Sequence, residues 1–129
     1  YQGRIRPSKE SVWTYYYKSA KNLNGSKLRM ISAVMDLYWA VIDASHAALM
    51  RLNEIPPSPN HVADMVENKL IKTGLIDKKY SKTMRHFYDL SKKIEYREIK
   101  EISGKEYDKL FNEADMYISR FRQFIEEYK

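Results

Sequence analysis

Three groups of residues in this chain carry functional side chains at spacings that could support chemistry. Asp43 and His46 stand three apart in "VIDASHAAL", so on a helix a carboxylate and an imidazole share one face, as in an acid–base pair or half of a bundle metal site. A carboxylate-bridged dimetal centre needs about four acidic residues and two histidines drawn from four helices. The other close pair, His61 and Asp64, lies in reverse order on a short segment, so no metal or other cofactor is expected. Asp43 and His46 then read as a polar notch that satisfies a buried group or lines a groove. In "FYDLSKKIEYREI", residues 87–99, Ser91, Glu95 and Tyr96 lie beside an apolar helical stripe, either lining a cleft or standing at the rim of a core. Lys82, Arg85, Lys92, Lys93 and Arg97 border them and could bring cations to a phosphate.

Common enzyme motifs are missing from the sequence. It holds no Gly-rich phosphate loop, no nucleophile elbow and no H-E-x-x-H zinc helix. Arg85 and His86 are adjacent, so on a helix they point about 100 degrees apart and make no tight pair. Absence of cysteine excludes disulfides and thiolate chemistry, and makes a reducing, cytoplasmic setting the expectation. Asp36, Asp43 and Arg51 break the longest apolar runs well short of the roughly 20 residues a membrane span needs, so no membrane partner is expected.

With 129 residues, 43% hydrophobic and 31% charged, and with eleven tyrosines, the chain is expected to form one folded domain over residues 1–129. Its net charge of +6 is unevenly spread. Residues 1–29 carry seven basic and one acidic side chain, and residues 69–97 carry nine and three, so each is +6; residues 30–68 are −4 and 98–129 are −2. Two basic segments thus flank an acidic middle, a pattern that suits contact with nucleic acid or simply a solvated lysine face.

Apolar residues recur at intervals of three and four along nearly the whole chain, which predicts an all-α fold. A first helix is expected from about Ser8 to Leu23, closed by Gly25 in "NLNGS", with Ser26 capping a second, central helix from Lys27 to Asn53. "EIPPSPNH" ends it, and Pro59 opens a third helix reaching Thr73. Gly74 closes that one, and a fourth covers Lys78 to Lys100 with Tyr80, Phe87, Leu90 and Ile94 inward and Met84, Tyr88, Ser91 and Glu95 one notch round. The capping box of Ser103 and Glu106 starts the fifth. These lengths predict an antiparallel up-and-down four-helix bundle with an additional short helix.

"DLYWAVIDASHAALMRL", then "PPSPNH", "LIKTGLIDKKYSKTMRHFYDLSKKIEY" and "ISGKEYDKLFNEADMYISRF" together resemble the HEPN superfamily of small helical bundles over residues 10–126. The resemblance implies an intracellular homodimer, often paired with a minimal nucleotidyltransferase as toxin and antitoxin. Many members are metal-independent ribonucleases with an Arg, a polar residue and a His or Tyr on the fourth helix. Those positions fall on Ser91, Glu95 and Tyr96, so the arginine is missing. A serine offers one neutral hydrogen bond where a guanidinium would grip a phosphate with two. A tyrosine, with a pKa near 10, is a poor base at neutral pH. The resemblance therefore implies a catalytically degenerate module that engages RNA, a nucleotide or a partner through the basic residues above. The alternative is an active endoribonuclease toxin using Lys92 or Lys93 with His86 or Tyr96.

Overall fold

A computed structural model describes residues 7–129; Arg4 and Arg6 of the basic N-terminal segment lie outside the described residues. The described residues are all-helical, with four α-helices: α1 Lys9–Arg51, α2 Pro59–Val66, α3 Lys79–Glu95 and α4 Gly104–Glu127. A π-helical turn, Glu67–Ile71, continues α2.

The expected break at Gly25 does not occur. α1 is a single helix of 43 residues, about 65 Å long. A glycine inside a helix costs only about 1 kcal/mol relative to alanine, too little to stop one flanked by adequate helix formers on both sides. Ser26, expected as a cap, instead donates its hydroxyl back to the Leu23 carbonyl at 2.7 Å. The true cap is Ser8, whose Oγ accepts from the Ser11 N–H at 3.0 Å. Asn53, at φ 62, and the prolines after it end the helix.

Other boundaries shift for local reasons. The third expected helix divides into α2 and the π-turn, in which Lys72 N–H reaches back five residues to the Glu67 carbonyl. α3 stops at Glu95 and not at Lys100, because Arg97 takes a left-handed φ of 59 and the amides of Glu98 and Ile99 fold back onto the Lys93 carbonyl. α4 begins as expected, with Ser103 Oγ accepting from Glu106 N–H.

Side-chain pairs fix the relative directions. Lys27 meets Glu101, Ser45 meets Tyr117 and Arg51 meets the Tyr128 carbonyl, so α1 and α4 run in the same sense. Arg120 lies by Asp77, Tyr117 by Tyr80 and Glu113 by His86, so α3 runs opposite to α4. The core lies between α1 and α4, closed by α3 and α2. Tyr117 stacks on Phe121 with ring centroids 4.0 Å apart, and Tyr80 meets both edge-on. Fully burying one such side chain is worth roughly 1.5–3 kcal/mol.

The first half of α1 escapes this core. The ion pair of Lys27 with Glu101 marks the end of the bundle, and every side chain from Val12 to Asn24 is exposed. Residues 9–29 therefore form an arm about 30 Å long, carrying Trp13, Tyr15, Tyr16, Tyr17, Leu23 and Leu28 into solvent.

Candidate functional site

The inward row of α3 comprises Tyr80, Met84, Phe87 and Ser91, with Leu90 and Ile94 only half-buried. The helix is thus turned slightly from the expected orientation, and Ser91 belongs to the core. It is 4% exposed, and its hydroxyl donates to the Tyr88 carbonyl at 2.6 Å. Across the α1–α3 seam it neighbours the Tyr38 phenol, whose pKa is raised above its ordinary value chiefly by burial and partly lowered again by hydrogen bonding to Ser91.

Around this seam the chain gathers Tyr38, Tyr88, Ser91, Lys92 and Glu95. Lys92 lies over the Tyr88 ring, 5.5 Å from its centroid, and donates to Glu95 at 3.4 Å. That hydrogen bond and the carboxylate charge raise the Lys92 pKa, so the ammonium stays charged. Tyr96 caps the end of α3 and is 69% exposed, while Lys93 and Arg97 also face solvent. Lys82 and Arg85 are exposed nearer the start of α3. Ser91 and Tyr96, the two ends of the expected motif, thus face opposite environments.

His86 points away from Lys92. Its Nδ1 lies 3.0 Å from both Glu113 carboxylate oxygens, against α4. Asp43 is exposed on the outward face of α1 and His46 is half-buried beside it. The buried polar group on that stretch is Ser45, which donates to the Val41 carbonyl at 2.7 Å and shares a hydrogen bond with the Tyr117 hydroxyl at 2.5 Å. Burial drives the Tyr117 pKa far upward, with the Ser45 hydrogen bond opposing it. Sequence reasoning missed this pair; its one signal was a serine on the most apolar helix.

A cleft of about 250 Å³ opens between α2 with its π-turn and α3. Asn60, Asp64, Glu67, Ser81, Arg85 and Tyr88 face it, and one Glu67 carboxylate oxygen is buried without a hydrogen-bond partner. Arg85 is the one basic residue singled out from the sequence that reaches this space. At that volume it falls just short of the roughly 300–1,000 Å³ typical of small-ligand pockets. Nothing in the sequence pointed to Glu67, because a π-helical turn has no compositional signature. Among the described residues, no three His, Asp or Glu side chains are arranged to hold a metal ion, and no helix is long and apolar enough to cross a membrane.

Compared with family models, curated proteins and solved structures, the chain matches none. Its functional reading therefore rests on its own geometry.

Proposed function

We propose that this chain is a HEPN-like, non-catalytic binding module that acts in the cytoplasm as a homodimer and holds single-stranded RNA on the exposed basic side of α3. The observation that carries the proposal is the position of Ser91. A catalytic phosphate grip must face the substrate, yet this side chain is buried in the α1–α3 seam and bonded to its own helix. Lys82, Arg85, Lys93 and Arg97 stay exposed on the solvent side of α3 and its end, turned away from Ser91, and supply charge there without an arginine at the Ser91 position. A nucleotide, or a nucleotidyltransferase partner contacting the same cations, belongs to this reading as the other ligand class for that face.

The rival, an endoribonuclease using Lys92 or Lys93 with His86 or Tyr96, draws less support. Lys92 is engaged by Glu95 and Tyr88, and His86 by Glu113 on the α4 side. The test measures RNA binding and cleavage together, without divalent metal. With about four cations engaged, log affinity should fall against log salt with a slope of about −3. Combined Lys82→Ala, Arg85→Ala, Lys93→Ala and Arg97→Ala changes should flatten that slope, with the RNA left intact throughout. Salt-independent binding sinks the RNA reading; cleavage lost on Lys92→Ala with Lys93→Ala establishes the rival.

A further inference from the structure

Trp13, Tyr17, Leu28, Met35, Trp39 and Met50 repeat at multiples of three to four residues, so they fall on one side of α1 from the arm into the bundle body. All are exposed except Met35, which is half-buried. Trp39, on the body, is 44% exposed, and Leu28, at the arm's root, is 68% exposed. This stripe is distinct from the inward row of α1, Val34, Val41 and Ser45, which α4 and α3 cover.

Charges flank the stripe in opposite senses along its length. The arm, residues 9–29, carries five basic side chains and one acidic one, including Lys18, Lys21 and Arg29 beside the stripe. The body half carries Asp36 and Asp43 beside it, both exposed. Two parallel copies of α1 would set lysine against lysine and aspartate against aspartate. Two antiparallel copies set each basic arm along the acidic body of the other, about a two-fold axis near Met30.

We propose that the occupant of this stripe is a second copy of the chain, and that α1 pairs antiparallel with α1 of that copy. Trp13, Tyr17 and Leu28 of each arm lie against Met35, Trp39 and Met50 of the other body, and Lys18 comes opposite Asp43 of the second copy. The contact is isologous: each copy gives an arm and receives one, so the assembly closes at two. Area supports it. Aromatic side chains bury about 150–250 Å² each, so three rings and three long aliphatic side chains, even partly exposed at the start, supply on the order of 500 Å² per copy. The flanking lysine stems and arginine bring this towards the roughly 800 Å² per partner of a standard interface. The inference rests on the dimeric reading above and gives that dimer its surface and direction.

The chain has no cysteine, so introduced thiols report cleanly. Lys18→Cys and Asp43→Cys proteins, mixed and mildly oxidised, should yield a disulfide-linked heterodimer, whereas either alone should stay uncrosslinked. Light scattering should show the unmodified protein as a dimer. Leu28→Glu or Trp39→Glu should weaken that dimer at least tenfold while circular dichroism keeps the helical signal. Lys18→Glu and Asp43→Lys should each weaken it, and the two together should restore it. A monomeric wild type, Lys18→Cys linking to itself, or a dimer indifferent to Leu28→Glu and Trp39→Glu would each overturn the proposal. So would an arm whose substitution removes RNA binding and leaves the mass unchanged. Because the RNA test reads α3, a monomer that binds RNA sinks this interface and the homodimer but leaves the RNA reading, and a dimer that ignores RNA sinks the RNA reading alone.

Discussion

Ser91 decides the functional reading at the scale of a single residue. Its neighbours in sequence suggested a cleft, but its hydroxyl spends its donor on the Tyr88 carbonyl inside the core. Restoring the arginine expected at this position by Ser91→Arg would force a guanidinium against Tyr38 in a space that fits a hydroxyl. An unpaired buried charge of that kind costs about 3 kcal/mol or more, so chemical denaturation should show a loss of that size and no gain of ribonuclease activity. Tyr117 offers a second test. Its folded pKa lies above the ordinary tyrosine value near 10, so from there upward the unfolded chain releases its proton first. Stability is unaffected by this group below about pH 10 and falls as pH rises towards the folded pKa, by up to about 1.4 kcal/mol per pH unit. Tyr117→Phe should flatten that alkaline decline in pH-dependent denaturation, and should cost about 1 kcal/mol at neutral pH from the lost bond to Ser45.

Among the elements, α1 departs most from what its residues announced. Gly25 with Ser26 is a good stop signal when read locally, yet the helix passes through both. Gly25→Ala should therefore stabilise the arm by about 0.5–1 kcal/mol, seen as a higher helical signal and a rise of a few degrees in thermal melts. The added methyl meets only the flexible Arg29 guanidinium, at 3.3 Å. If Gly25 were a hinge, the same change would lower the helical signal. α4 is the opposite case: its Ser103 cap was plain from the sequence, and Ser103→Ala should cost about 1 kcal/mol in denaturant titration.

At the scale of the whole molecule, a short bundle carries a basic aromatic arm whose side chains from Val12 to Asn24 are all exposed, and the proposed antiparallel dimer answers that exposure. Dimerisation makes the melting temperature rise with protein concentration, and Leu28→Glu should abolish that dependence in scanning calorimetry. The sequence by itself determined the all-helical class, the α2 start at Pro59 and the α4 cap, because periodicity and capping are local properties written in consecutive residues. Tertiary structure decided the rest. Which side of α3 turns inward depends on where α1 and α4 lie, and that moved Ser91 from a presumed cleft into the seam beside Tyr38. The shared direction of α1 and α4 likewise follows from contacts between distant side chains that no window of sequence contains, whereas α1 runs on through Gly25 because the local cost of one glycine is too small to stop it.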